Sequence, residues 1–125
     1  MKRIATISVI LTLLSGCAVD PQAAAERREN LMVSVFPQAA DRQGLFLVFP
    51  LESGRLYDTL LITHFVDEVS RQEVVNRVAR YCAGLGSPRL SGQATLVREL
   101  GTATRPRSDG TQGTTLEARY DCTEA

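Results

Sequence analysis

The sequence predicts a small α+β domain, in which one amphipathic helix packs on a mostly antiparallel sheet and the elements follow the order β-β-β-α-β-β. Three observations support this fold class. Apolar runs that end at proline or turn residues come first, and a single stretch of helical periodicity follows them. Alternating polar and apolar residues fill the last part. The 125 residues, 44% of them hydrophobic, are enough for one domain with a modest core.

Three strands are predicted before the helix. Residues 31–36 form an apolar, β-branched run that ends at a proline, and residues 45–49 form a second apolar run that also ends at a proline. A third run covers residues 56–66. Because turn residues at 52–55 separate the last two runs, we expect these two strands to pair as a hairpin.

The helix is predicted to begin at Ser70. Ser70 and Glu73 have the spacing of a capping box, in which the hydroxyl and the carboxylate each satisfy a free backbone N–H group. The apolar residues behind them recur at helical spacing on one face: Val74, Val75, Val78, Cys82 and Leu85. Gly84 is expected to close the helix in the left-handed conformation, and Gly86 and Pro88 disfavour its continuation.

Two further strands are predicted after the helix. Residues 93–100 form the first, and residues 114–122 form the second, in which polar and apolar residues alternate clearly. The apolar face of this last strand carries Leu116, Ala118, Tyr120 and Cys122. Residues 102–113, which contain Pro, Asp-Gly and a further Gly, are expected to form a long polar hairpin loop.

The first sixteen residues are typical of a secretory signal peptide. Lys2 and Arg3 precede an apolar run of eleven residues, which ends in two small residues. A membrane-spanning helix would need about twenty apolar residues. Asp20 ends the run too early for that, so we predict a signal peptide over residues 1–16.

The end of this segment, Leu14-Ser15-Gly16-Cys17, resembles the lipobox of bacterial lipoproteins. In that family a diacylglycerol is joined to the cysteine thiol, the signal peptidase cuts before the cysteine, and the new amine is acylated. The resemblance implies that Cys17 is the lipidation site and that the lipid bilayer is a partner. Residue 18 is alanine rather than the aspartate that holds enteric lipoproteins at the inner membrane. We therefore expect an anchor at the periplasmic face of the outer membrane.

The mature chain is expected to have two parts. Residues 17–30 would be the lipidated N-terminus and a flexible tether, because they are polar, alanine-rich and poor in large apolar groups. Residues 31–125 would form the single globular domain. The balance of charges, 14 Lys+Arg against 14 Asp+Glu in the full chain, does not suit a nucleic-acid-binding protein.

A disulfide is predicted between Cys82 and Cys122. Once Cys17 is lipidated these two cysteines remain, and an exported chain meets an oxidising compartment. Each lies on the apolar face of its own element, so both thiols are expected in the layer between helix and sheet. Two buried reduced thiols, or bonds to other chains, are the alternatives.

No catalytic, metal-binding or cofactor-binding residues are expected, and we predict that the protein is not an enzyme. His64 is the only histidine, and its apolar strand favours a structural role. Asp67 and Glu68 are interpreted as solvated charges before the helix, where negative charge suits the helix dipole. The sequence contains no G-x-S-x-G, H-E-x-x-H, P-loop or dinucleotide-binding motif.

Ser53-Gly54-Arg55-Leu56-Tyr57 is similar to the S-G-x-x-Y loop of the periplasmic lysozyme inhibitors, which are also small outer-membrane lipoproteins with a disulfide. The resemblance implies a recognition loop, built on Ser53, Gly54 and Tyr57, that plugs the lysozyme active-site cleft. The chain lacks the downstream Lys-Gly motif of those inhibitors, and it has a helix where they continue with strands.

Residues 69–74, together with Leu85-Gly86-Ser87-Pro88, are similar to a helix and Leu-Gly-x-Pro segment of small lipoproteins that support outer-membrane assembly. The expected role is therefore binding or envelope support, with an envelope protein as a possible partner. Lysozyme inhibition and a small-ligand carrier or enzyme with a deep polar pocket around His64 are the alternatives. Because loops on a rigid scaffold usually carry binding residues, the hairpin near 53–57 and the loop over 102–113 are expected to be the recognition surface.

Overall fold

The computed structural model describes residues 20–53 and 56–125, and it shows an α+β fold with one four-stranded antiparallel sheet. The predicted signal peptide, Cys17 and Gly54 lie outside these residues. The elements are α1 (Pro21–Val35), α2 (Ala39–Arg42), β1 (Leu45–Ser53), β2 (Leu56–Phe65), α3 (Arg71–Gly84), β3 (Leu90–Pro106) and β4 (Gln112–Glu124). The predicted fold class is confirmed, but the order within the described residues is α-α-β-β-α-β-β.

The first helix begins at Pro21, four residues after the predicted lipidation site Cys17. The Asp20 carboxylate accepts a hydrogen bond from the Gln22 backbone N–H at 3.0 Å, and Pro21 occupies the first turn, where its missing N–H costs nothing. Residues 21–30, which the sequence assigns to a flexible tether, therefore form the first part of α1. The domain boundary predicted at residue 31 lies inside this helix.

The strand predicted over residues 31–36 is wrong, because this segment forms the end of α1 and its C-cap. Met32, Val35 and Phe36 are buried, and their spacing of three and four residues brings them to the core from one side of the helix. The Phe36 ring meets the Tyr81 ring of α3 edge to face, with 6.3 Å between centroids. Burial of this face outweighs the β preference of its valines.

The sheet has the strand order β1-β2-β4-β3, and all neighbouring strands are antiparallel. The predicted β1–β2 hairpin is confirmed. β2 and β4 lie at the centre and pair from Thr59 opposite Asp121 to Phe65 opposite Thr115. β2 ends at Phe65, which pairs with Thr115 near the start of β4. The β1–β2 turn precedes β2 and the β3–β4 turn precedes β4, so the two turns lie at opposite ends of the sheet.

The long loop predicted over residues 102–113 is also wrong. β3 continues to Pro106, which pairs with Gln112, so only residues 107–111 turn the chain. The Asp109 carboxylate stabilises this turn by accepting hydrogen bonds from the Thr111 N–H and hydroxyl, at 2.9 and 2.7 Å. An edge strand that is exposed along most of its length needs little apolar alternation, so its polar sequence resembles that of a loop.

The predicted helix is confirmed as α3. The Ser70 hydroxyl accepts a hydrogen bond from the Glu73 N–H at 3.1 Å, as expected for an N-cap. The Glu73 carboxylate binds the Arg77 side chain instead of completing the capping box. The left-handed residue after the helix is Gly86, with φ of +67°, rather than Gly84.

The core lies between one face of the sheet and the helices α1 and α3. The residues of β2 and β4 that share this face are buried: Leu60, Ile62, His64, Leu116, Ala118, Tyr120 and Cys122. The apolar face predicted for the last strand is therefore confirmed. Cys82 and Cys122 lie at disulfide distance in this layer, with 5.5 Å between their Cα atoms. In the part of the chain that the structure describes, no helix is long and apolar enough to cross a membrane.

A buried arginine joins α3 to the connection before β1. The Arg77 guanidinium donates hydrogen bonds to the backbone oxygens of Asp41 and Gln43, at 3.0 and 2.6 Å. It also donates to the Glu73 carboxylate at 3.1 Å. Because a buried charge is costly unless its hydrogen bonds are satisfied, these contacts fix the chain that leads into β1.

Candidate functional site

A large cleft lies at the end of the sheet that carries the β3–β4 turn. It has a volume of about 540 Å³. Its walls come from α1, the start of β1, the end of β2 and the turn after β3. Clefts of this size are large enough for a small organic ligand. We call it the arginine cleft, because Arg28, Arg42 and Arg107 line it.

Two phenylalanine rings form the apolar part of this cleft. Phe65, the last residue of β2, meets Phe46 of β1 edge to face, with 6.1 Å between ring centroids. A break in the β1–β2 register between Leu45 and Leu47 places Phe46 outside the regular pairing. Gly44 precedes β1 with φ of +79°, and a Cβ there would lie 3.1 Å from the Val69 side chain, so the entry to β1 requires glycine.

Three arginines from separate elements stack on these rings. The Arg28 guanidinium of α1 lies 4.4 Å from the centroid of Phe46, and that of Arg105 in β3 lies 5.6 Å from the same ring. The Arg107 guanidinium lies 5.0 Å from the centroid of Phe65. Each pair has the geometry of a cation–π interaction, which orients the guanidinium group against its ring, and two of these arginines, Arg28 and Arg107, line the cleft.

Carboxylates neutralise only part of this positive charge. Arg107 forms ion pairs with Asp67, at 2.8 Å, and with Glu68. The hydrogen bond from Arg107 holds the pKa of the Asp67 carboxyl below its usual range. Asp67 and Glu68 are thus partly exposed, as expected before a helix, and their specific role is to hold Arg107 in place. A lowered pKa is the opposite of what a general acid requires of Asp67.

The remaining arginines differ in their partners. Arg42 pairs with Glu29 at 3.5 Å and donates to the backbone oxygen of Phe36 at 2.8 Å. Among residues 20–53 and 56–125, neither Arg28 nor Arg105 forms an ion pair with a carboxylate. The cleft therefore combines an aromatic floor with one lining guanidinium group, that of Arg28, that has no carboxylate partner among the described residues.

A second cavity, of about 410 Å³, lies beside His64 at the start of α3. His64 is only 1% exposed, and burial, followed by the positive charges of Arg71 and Arg77, lowers its pKa. Its Nδ1 atom is buried without a hydrogen-bond partner in the described structure. The described residues also contain no group of three or more His, Cys, Asp or Glu that could hold a metal ion.

His64 thus lies in a buried strand position, next to a cavity of the kind that the small-ligand alternative requires. No described side chain accepts a hydrogen bond from His64 or donates one to it. The hydroxyl of Tyr120, on the same face of the sheet, is likewise buried without a partner. Burial raises the pKa of Tyr120 to about 12, so its hydroxyl stays protonated at neutral pH.

The recognition surface predicted from the two loops is not formed as one surface. Ser53 and Tyr57 belong to the β1–β2 hairpin end, at the opposite end of the sheet from the turn over residues 107–111. Tyr57 is 50% exposed, and its backbone oxygen accepts a hydrogen bond from the Tyr81 hydroxyl at 2.5 Å. The Tyr57 side chain is therefore held at the surface, far from the arginine cleft.

The sequence did not predict the arginine cleft. Its key residues, Arg28, Phe46 and Arg107, are spread over most of the domain and belong to no local motif. The one sequence signal was the presence of closely spaced arginines in two polar segments, Arg27-Arg28 and Arg105-Pro106-Arg107.

Comparisons of the chain with protein-family models, curated proteins and solved structures give no match. A functional assignment therefore depends on the chemistry of the arginine cleft and on the lipobox-like motif before α1.

Proposed function

We propose that the protein is a lipid-anchored binding protein of the bacterial cell envelope, held at the periplasmic face of the outer membrane through acylated Cys17. Its role in this proposal is to bind a ligand or an envelope partner, not to catalyse a reaction. The support for the anchor is the motif Leu14-Ser15-Gly16-Cys17 after a short apolar segment.

The observation that carries the proposal is the short distance between Cys17 and the folded domain. Only three residues separate Cys17 from Pro21, where α1 begins, and an extended chain of this length spans at most about 14 Å. The other end of α1 is fixed in the core by Met32 and Val35. A lipid on Cys17 would therefore hold the domain close to the bilayer, with the arginine cleft beside α1 near its surface.

The chemistry of the described residues favours binding over catalysis. The arginine cleft is open, and its side chains supply charge and aromatic surface rather than a nucleophile with an adjacent base. The carboxylates Asp67 and Glu68 are occupied by Arg107, and His64 is buried and does not line this cleft.

Acyl labelling tests the anchor directly. Cells that express the wild-type chain should incorporate an alkyne fatty acid into the protein, and Cys17→Ser should abolish that label. Cys82→Ala is the matched control, because it removes a cysteine and leaves the lipobox-like motif intact; label is measured relative to the amount of protein, since this variant also opens the disulfide. Label that survives in Cys17→Ser, or label per protein molecule that is lost equally in Cys82→Ala, would contradict the assignment.

Density-gradient separation of the two membranes tests the location. The wild-type protein should band with the outer membrane, and Ala18→Asp should move it toward the inner membrane. Ala18→Ser is the control, because it changes the same position without a charge. Wild-type protein in the inner-membrane fraction would refute the outer-membrane assignment.

Lysozyme inhibition is a second candidate function, and the half-exposed Tyr57 at the β1–β2 hairpin end favours it. The purified protein should then reduce lysozyme activity stoichiometrically, and Tyr57→Ala should relieve the inhibition. Arg28→Gln, at the other end of the sheet, is the control and should leave inhibition unchanged. A parallel crosslinking pull-down from intact envelopes tests an assembly role, which predicts recovery with an outer-membrane complex.

A further inference from the structure

We propose that the cavity beside His64 binds a small aliphatic carboxylate at the N-terminus of α3. We call it the histidine cavity, and it is separate from the arginine cleft. It would serve the binding role proposed above, on which this assignment rests. It does not need the lipid on Cys17, so the site and the anchor can fail independently.

Polar residues from two elements line the histidine cavity, which has a volume of about 410 Å³. They are His64, near the end of β2, and Ser70, Arg71 and Gln72, at the start of α3. The His64 side chain is buried, and its Nδ1 atom has no hydrogen-bond partner in the described structure. A buried polar group without a partner costs free energy, so a ligand that binds the imidazole would recover part of that cost.

The first turn of α3 supplies donors for an anion. The N–H groups at the start of a helix point out of the helix and carry the positive end of its dipole. The Ser70 hydroxyl accepts from the Glu73 N–H, but no described group accepts from the N–H groups of Arg71 or Gln72. Helix N-termini with such free donors are binding sites for carboxylate and phosphate groups.

The side-chain charges near His64 are nearly balanced, which favours an anion with a single charge. Arg71 forms an ion pair with Glu99 at 2.6 Å, and Arg77 forms one with Glu73. Burial, followed by the charges of Arg71 and Arg77, lowers the pKa of His64, and Glu99 acts in the opposite direction. The imidazole is therefore neutral at pH 7. A carboxylate has two oxygens, so it can accept from two neighbouring N–H groups of α3.

The remaining wall of the histidine cavity indicates that the ligand has a short hydrocarbon body. This wall is formed by Val66, Val69 and Leu116. Val66 is half-exposed although its side chain is apolar, and contact with a ligand would remove this surface from water. The cavity has room for a few carbon atoms beside the carboxylate.

NMR titration with sodium butyrate tests the site. The protein is the untagged chain from residue 17 with Cys17→Ser, which contains every described element of the fold. His64 is the only histidine, so the imidazole resonances of the protein report on this cavity alone. At constant ionic strength, butyrate should saturably shift the His64 ring and the amides of Arg71 and Gln72. Acetate, which lacks the longer body, should bind more weakly, and the neutral isostere butanamide should not bind.

Two substitutions of Arg71 separate its side chain from its backbone N–H. Arg71→Gln removes the charge and should weaken binding about two- to fivefold. Arg71→Pro also removes the N–H, and it should weaken binding about tenfold or more. Proline is tolerated here because Arg71 is the first residue of α3 and Ser70 before it is extended, with ψ of 159°. Circular dichroism confirms that each variant is folded.

Arg89→Gln is the matched control for Arg71→Gln. Arg89 is exposed and does not line the histidine cavity, so its loss should change binding less than about twofold. Glu99→Gln breaks the same ion pair as Arg71→Gln, but it leaves the guanidinium free for the ligand. It should therefore strengthen butyrate binding.

Three results would overturn the proposal. The first is the absence of a saturable shift of the His64 ring with butyrate, and the second is equal binding of butanamide. The third is that Arg71→Pro binds as well as the parent chain, or that Glu99→Gln weakens binding as much as Arg71→Gln does. Loss of acyl labelling at Cys17 concerns only the anchor and would leave these measurements unchanged.

Discussion

Opening the Cys82–Cys122 disulfide should greatly destabilise this small domain. The two sulfurs join residues that are 40 positions apart in the chain. On the chain-entropy model, closing a loop of that length stabilises the folded state by about 4 kcal/mol. Domains of this size unfold with a total free energy of only about 5–15 kcal/mol, so the bond accounts for a large share of the stability.

The expected change in melting temperature follows from the entropy of unfolding. With about 2.1 cal/mol/K per residue, a loss of about 4 kcal/mol lowers the Tm by about 15–20 °C. Cys82→Ala and Cys122→Ala should give the same decrease, because each opens the same loop. The double variant should lower the Tm little more than either single variant does. All variants should carry Cys17→Ser, so that no third thiol can form a competing bond.

Scanning calorimetry or thermal circular dichroism, with and without a reducing agent, measures this effect. Reduction of the parent should lower its Tm toward that of the alanine variants and should leave the variants unchanged. The reasoning fails if both thiols are free in protein isolated from the periplasm, or if the costs of the two single variants add in the double variant.

The remaining predictions concern one buried arginine, one histidine and one helix cap. Arg77→Met should lower the free energy of unfolding in urea by about 2–4 kcal/mol, because it removes the donor of two partly buried backbone oxygens, whereas Arg80→Met, at an exposed position, should lower it by less than about 1 kcal/mol. Because the folded pKa of His64 lies below 6.5, the unfolded chain binds its proton first as the pH falls. Unfolding free energy should therefore decrease below about pH 6.5, by at most about 1.4 kcal/mol per pH unit, and His64→Gln should remove that slope. Ser70→Ala should lower the free energy of unfolding by about 1 kcal/mol, because it removes the N-cap of α3. Ser87→Ala, outside α3, is the control, and an equal loss of stability in this variant would contradict the capping role.

Part of the fold could be predicted because its signals are local. The N-cap Ser70 and the spacing of Val74, Val78 and Cys82 describe α3 without reference to any other element. The alternation over residues 114–122 likewise shows which side of β4 is buried, because successive side chains of a strand point to opposite faces.

The errors occurred where tertiary contacts decided the local structure. Residues 31–36 have the composition of a strand, yet they continue a helix whose cap and first turn lie upstream at Asp20 and Pro21. Residues 102–106 have the composition of a loop, yet they pair with β4 along an exposed edge. In both segments the neighbouring element supplies the stabilising contacts, and composition alone does not contain them.

By itself, the sequence predicted the α+β class, the helix α3, the face of β4 and the candidate anchor at Cys17, because each depends on residues close together in the chain. It also paired Cys82 with Cys122 by placing each on an apolar face. Only the tertiary structure decided that Arg28 of α1 and Arg105 of β3 both lie against the ring of Phe46 in β1. Strand order and register determine which distant segments lie against each other. The pattern of polar and apolar residues along the chain shows which face of an element is buried, but it does not show which distant segment covers that face.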